Sequence, residues 1–123
     1  MVRELFLGVR RFADIQQATG APPAVLSDRL RSLVAVGVLE TRPYREQGAR
    51  TRNEYRLTAA GRELAPVLAA LRDWGDEHCC EADGPPVVVV HEGCGAAVHA
   101  RMVCDDGHRV ESPRDLTRRV LIP

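Results

Sequence analysis

Between residues 23 and 58 the chain changes its hydrophobic period once, and this switch restricts the possible folds more than any other feature. In PAVLSDRLRSLVAVG, Leu26, Leu30, Leu33 and Val34 fall at i, i+4, i+7 and i+8, one apolar stripe of an α-helix. Gly37 ends that stripe. From Val38 to Glu46 the pattern alternates instead, as in a half-buried strand, with Pro43 suiting an edge position. Gly48 opens the turn GARTR, and Asn53 to Leu57 alternates again with Tyr55 and Leu57 on one face. Arginines are spread over the whole stretch: Arg29 and Arg31 on the helix, and Arg42, Arg45, Arg50, Arg52 and Arg56 on the hairpin. A helix of this kind fits the major groove of a duplex, and a basic hairpin beside it can hold the flanking phosphates. The combination predicts a winged helix.

The residues upstream complete such a unit. Residues 2–8 carry Leu5, Phe6 and Leu7 into Gly8, the end of a helix closed by glycine. RFADIQQAT at 11–19 places Phe12, Ile15 and Thr19 on one face and stops at Gly20. Ala21-Pro22-Pro23 follows as a turn, and proline is tolerated in the first turn of the next helix. The link between the helices is short, as a helix-turn-helix requires. Downstream, Thr58 is a natural N-cap, and a helix is expected from 59 to about Cys80, ~33 Å long. Its apolar positions are Leu64, Val67, Leu68, Leu71 and Trp74, with Pro66 expected to bend it. A long striped helix outside a small core usually packs on something, here a second subunit. The expected fold is therefore α+β: a winged helix-turn-helix over 1–80 with a dimer helix at 59–80, a linker at 81–86, and a small β-rich tail at 87–123. In the tail, Val87 to Val90 is a strand candidate, and turns fall at Gly93-Cys94-Gly95 and Asp105-Asp106-Gly107.

The 123 residues suffice for one compact domain with a modest core plus a tail. No apolar run approaches the ~20 residues of a membrane span. The start MVRELFLGVRR has no long apolar stretch after its charges, so no signal peptide is expected and the cytoplasm is the expected location. The formal net charge is +0, yet residues 1–60 hold ten Arg against six acids and residues 61–123 seven Arg against eleven. A basic front half fits a polyanion. All seventeen basic residues are arginine, a bias that genomic base composition mostly explains. Four cysteines in a cytosolic chain point to metal, redox chemistry or plain burial instead of disulfides. No base–nucleophile pairing goes beyond His/Cys proximity in a tail too small for a pocket, so no enzyme is expected.

Five blocks in order, GVRRF at 8–12, VLSDRL at 25–30, GVLETRPY at 37–44, EYRLTAAGREL at 54–64 and LRDWGD at 71–76, resemble the HxlR family, a winged-helix branch of the MarR-like bacterial regulators. The resemblance implies a homodimeric DNA-binding repressor or activator. It assigns base reading to the helix at 23–36, phosphate or minor-groove contact to the wing at 41–56, and the dimer interface to the helix at 59–80. Family members normally have a further helix before the stretch matching residues 2–8. Here Met1 falls where the second helix should be under way, which reads either as a start codon assigned too far downstream or as a truncated paralogue. A truncated form would be a protein-interaction module without DNA binding. The cysteine of the family's redox-sensing branch is absent from this N-terminal region.

On the solvent side of the reading helix lie Ala24, Ser27, Asp28 and Arg31. Arg31 can donate two hydrogen bonds to guanine, worth ~1–3 kcal/mol of discrimination. Ser27 can take a base edge or a phosphate. Asp28 repels phosphate, so it should face cytosine N4 or orient Arg31. In the wing, Arg45, Arg50 and Arg52 flank Gly48 with only Glu46 as a nearby acid. Arg10 and Arg11 are placed to reach the backbone of the duplex. Tyr44 and Tyr55 suit wing packing, and Arg42 and Arg56 can pair with Glu40 and Glu54 instead of DNA. In the tail, His91-x-x-Cys94 and Cys104-x-x-x-His108 supply two thiolates and two imidazoles, the chemistry of a zinc ribbon. Many relatives carry an HxxCG then CxxCG tail. Here Gly107-His108 replaces the last cysteine, so zinc competes with a metal-free hairpin. Cys79 and Cys80 end a helix ~100° apart, one buried and one exposed, with no easy disulfide. The expected partners are double-stranded DNA and a second copy. A small-molecule or redox effector is left unidentified, no membrane is expected, and zinc is the sole cofactor considered.

Overall fold

Leu26 and Leu30, the centre of the apolar stripe, are fully buried, and Leu5, Ile15 and Leu39 close around them. This cluster is the core, and Val9, Phe12, Leu33, Val34, Val38, Tyr55 and Leu57 pack against it. Burying each large aliphatic side chain contributes roughly 1.5–3 kcal/mol, so this cluster is the main apolar contribution to the folding of the first unit. The computed structural model describes residues 1–79, 84 and 87–121. Cys80 and all of the expected 81–86 linker except Gly84 lie outside these residues. The chain divides into two compact units, Met1–Ala65 and Pro66–Pro123, and this division falls inside the segment expected as the dimer helix, 59–80.

The first unit contains α1 (Val2–Phe6), α2 (Phe12–Thr19), α3 (Pro23–Ala35), β1 (Leu39–Tyr44), β2 (Arg52–Leu57) and α4 (Ala59–Arg62). α3 starts with Pro23 at its first position, where the missing N–H is harmless. At its other end the Gly37 amide donates to the Val34 carbonyl (3.1 Å) and the Val38 amide to the Leu33 carbonyl (3.0 Å). This closure needs the left-handed backbone of Gly37, at φ 77°. It turns the chain directly into β1, which pairs antiparallel with β2 from Leu39↔Leu57 to Tyr44↔Arg52. The period of two puts Leu39, Tyr55 and Leu57 on the core face and Glu40, Arg42, Tyr44, Arg52, Glu54 and Arg56 on the other. The segment before α2 adds to the free edge of β2: Arg11 bridges Glu54, and the Tyr55 amide donates to the Arg10 carbonyl at 2.8 Å.

Thr58 ties the hairpin back to the end of α3. Its hydroxyl donates to the Gly37 carbonyl at 2.5 Å and accepts from the Gly61 amide at 3.0 Å, capping α4. Gly61 sits so close to the Val38 carbonyl oxygen that a β-carbon there would overlap it.

The single helix expected from 59 to about 80 is two helices. α4 ends at Arg62, residues 63–64 form a turn, and α5 runs over Ala65–His78. The physical reason is Pro66. With no N–H to continue the ladder of the preceding helix, it lies in the first turn of a new one, where that lack costs nothing. α5 belongs to the second unit, and Asp73 holds the tail to it. The Asp73 carboxylate accepts from the Ala100 amide at 2.7 Å and from Arg72 at 3.1 Å, and His99 Nδ1 lies 3.2 Å away. Arg72 also donates to the Val98 carbonyl at 2.5 Å.

The expected strands of the tail are reduced to two isolated antiparallel bridges among the described residues, Val90↔Ala97 and Val103↔Arg109. The turn at residues 105–107 falls where expected, and the other lies at residues 92–94, one residue before the expected 93–95. The valines from Val87 to Val90 are exposed, so they gain too little burial to extend the pairing. Among the described residues, no helix is long and apolar enough to cross a membrane.

Candidate nucleic-acid interface

α3 presents Ala24, Asp28 and Arg31 to solvent, with Ser27 half-buried beside them. The side opposite Leu26 and Leu30 is open because those leucines fix the rotation of the helix on the core. Arg31 Nη1 donates to Asp28 Oδ1 at 2.9 Å, one helical turn away. Of the two roles weighed for Asp28, orienting Arg31 is the one the geometry displays. Both side chains are about three-quarters exposed, so the pair is a loose guide and not a rigid clamp.

The arginines of the hairpin fall into two classes. On the outer sheet face, Arg42 pairs with Glu40 at 2.9 Å and Arg56 with Glu54 at 2.5 Å. These four groups neutralise one another, as the sequence suggested. The turn end is different. Arg45 donates to the Ala49 carbonyl at 3.0 Å, which closes the loop on itself, and the Ala49 amide donates to the Glu46 carbonyl at 3.0 Å. Arg45, Arg50 and Arg52 are exposed and enter no ion pair among the described residues. The cationic character of the hairpin is therefore concentrated at its tip.

Arg10 is exposed, and its backbone is taken up by Tyr55. The Arg11 side chain turns back on the protein. Its guanidinium lies 4.4 Å over the Tyr44 ring and makes an ion pair with Glu46. The hydrogen bond to Glu46 is the main cause holding its pKa above the ordinary value. The sequence alone suggests Glu46 as the acid nearest the wing arginines and Arg11 as a contact for the duplex; in the fold the two pair with each other. A contact between residues 35 apart leaves no local signal.

His91, Cys94, Cys104 and His108 do not converge. Among the described residues no group of three or more His, Cys, Asp or Glu is placed to hold a metal ion. Each half of the tail closes through its own backbone: the Gly95 amide donates to the His91 carbonyl at 2.7 Å, and the Cys104 amide to the His108 carbonyl at 3.0 Å. The His91 ring folds against Gly93. Cys79 is exposed.

A family description, HxlR-like helix-turn-helix, matches residues 1–83. The chain is 42% identical over 104 residues to Rv3095, an uncharacterized HTH-type transcriptional regulator of Mycobacterium tuberculosis, covering 85% of this chain and 65% of that protein. It is 40% identical over 86 residues to sll1512, an uncharacterized HTH-type transcriptional regulator of Synechocystis, covering 66% of this chain and 62% of that protein. The chain thus spans somewhat less than two thirds of the length of these relatives. Among solved structures, PA1607, a protein put forward as a transcription factor, superposes with a TM-score of 0.83 at 33% identity, covering 96% of this chain and 81% of that one. The reduced form of the transcriptional regulator YodB from B. subtilis superposes with a TM-score of 0.54 at 25% identity, over 68% of this chain and 79% of that one.

Proposed function

The chain belongs to the HxlR-like helix-turn-helix family, and from that premise we propose that it is a sequence-specific DNA-binding transcriptional regulator acting as a homodimeric repressor. α3 enters the major groove and the wing lies on the flanking backbone. One observation carries this reading: within a single unit, a groove-sized helix displays an arginine oriented by Asp28, and the adjoining hairpin ends in Arg45, Arg50 and Arg52 with no carboxylate paired to them. Arginine held in this way suits bidentate contact with guanine, and unpaired guanidinium groups on a turn suit phosphate.

The dimer is supported by α5. Val67, Leu71 and Trp74 recur at i, i+4 and i+7 on that helix and are each more than half exposed. Three large apolar side chains in one row are the kind of face that a second copy covers. Two copies place two reading helices about one helical repeat apart, ~34 Å, which calls for a palindromic site.

A gel-shift titration on the DNA upstream of its own gene, repeated over a range of salt, tests the reading. The expected result is a discrete complex whose affinity falls steeply with salt, by ~0.9 in logarithmic slope for each phosphate neutralised. Absence of any shift at low salt would exclude DNA binding and leave the protein-interaction module.

A further inference from the structure

Arg11 stands at a junction. Its backbone bridges Glu54 in the middle of β2. Its guanidinium covers Tyr44, the last residue of β1, at 4.4 Å. Its Nη1 engages the Glu46 carboxylate, inside the turn. One residue thus touches both strands and the loop that joins them. Beyond the last paired positions, Tyr44 and Arg52, the loop's own hydrogen bonds are local: Ala49 to Glu46 through the backbone and Arg45 to Ala49. Neither fixes the direction in which the tip points. The Arg11 contact does, because the residue is anchored outside the hairpin, immediately before α2.

The chemistry requires arginine. A planar guanidinium can lie on a ring face while its edge donates to a carboxylate; an ammonium cannot do both at once. The acids and the ring around this group, Glu46, Asp14 and Tyr44, all favour the cation. With its face covered and one edge committed to Glu46, the group is spent on the protein, although it remains partly exposed.

We infer that Arg11 is a positioning residue that sets the angle of the wing through Tyr44 and Glu46, and not a phosphate contact. This rests on the DNA-binding reading for one of its two readouts only.

The test uses the full chain and four variants: Arg11→Ala, Arg11→Lys, Tyr44→Leu, and Arg11→Ala combined with Tyr44→Leu. Tyr44→Phe, which keeps the ring face, serves as the control. The first readout needs no DNA: hydrogen exchange at the backbone amides of residues 44–52. Arg11→Ala and Tyr44→Leu should each speed exchange there, the double variant no more than the faster single one, and Lys should not rescue. Tyr44→Phe should match the parent chain. The second readout is the gel-shift titration on the DNA upstream of the gene. Arg11→Ala should weaken binding about three- to thirty-fold, for one cation–π contact plus one surface ion pair, and Tyr44→Leu, which removes the ring contact alone, by a smaller factor, both with the salt slope of the parent chain. Unchanged exchange in Arg11→Ala overturns the inference. So does a salt slope that falls by ~0.9 per protomer in Arg11→Ala while Tyr44→Leu binds normally, the mark of a phosphate contact. If the parent chain shifts no DNA, the proposed function fails, and exchange alone still decides the role of Arg11.

Discussion

At the scale of single residues, the proposed function gives two arginines of one unit different work. Arg31 pairs loosely with Asp28 on the exposed side of α3, which biases the direction of its donors without fixing it. Arg50 carries no ion pair among the described residues and sits on the hairpin turn. Arg31→Ala is therefore expected to weaken binding to the specific site by ~1–3 kcal/mol while leaving nonspecific binding nearly intact. Arg50→Ala should weaken both about equally and lower the salt slope by ~0.9 per protomer. Competition gel shifts with specific and random duplexes measure both, and equal loss on every duplex for Arg31→Ala would remove it from base reading. Gly61 makes the same point about stability. Alanine normally favours a helix by about 1 kcal/mol over glycine, but here a β-carbon would overlap the Val38 carbonyl and crowd Leu57. The clash dominates, so Gly61→Ala should destabilise by about 1–3 kcal/mol, read as a lower denaturant midpoint.

Elements show where the sequence was legible and where it was not. α3 and the hairpin could be placed because period and punctuation agree: leucines at helical spacing, a left-handed glycine, then alternation. Core membership followed, since Leu26 and Leu30 lie on the stripe and are fully buried. The break after Arg62 was hidden because Leu64, Val67 and Leu68 continue the helical spacing across Pro66. An apolar period reports which face is buried, not whether the backbone ladder is continuous. The Arg11 contact was hidden because Tyr44 and Glu46 are far from it in sequence, and the Asp73 anchor for the same reason. That anchor gives a pH prediction. The Ala100 amide, then Arg72 and His99, hold the Asp73 carboxyl below its ordinary pKa. A lowered carboxyl pKa means the folded form binds the proton more weakly than the unfolded one. The anchor is thus fully stabilising above the unfolded value near 3.9 and is lost as pH falls through the folded value. Acid titration should accordingly free residues 98–101 below about pH 4, seen as faster amide exchange, and Asp73→Asn should shrink that acid-dependent step. A step of undiminished size in the variant would assign it to other carboxyls.

For the molecule as a whole, the question is what covers α5. Trp74 is 59% exposed, Leu71 64% and Val67 52%, and an unpaired row of this size is costly to leave in water when a copy can bury it. The Trp74 ring also sits 5.2 Å from the His78 ring, tilted by 50°, which extends the row by another turn. A symmetric pair would bury the row twice, once from each chain, and aromatic residues dominate the energy of such contacts. Each fully buried large side chain adds roughly 1.5–3 kcal/mol, so one charge placed in the centre should be enough to separate the copies. Trp74→Glu is expected to sediment as a monomer at concentrations where the parent chain is a dimer. Under the proposed function one copy reads only half of a palindrome, so the same variant should lose most of its affinity for the full site and keep its affinity for a single half-site. The first unit has its own core, and the substitution lies outside it, so its amide-exchange pattern should be unchanged. A variant that remained dimeric would move the subunit contact elsewhere. A monomer that still bound the full site with parental affinity would sever dimerisation from recognition and leave the row on α5 with another occupant.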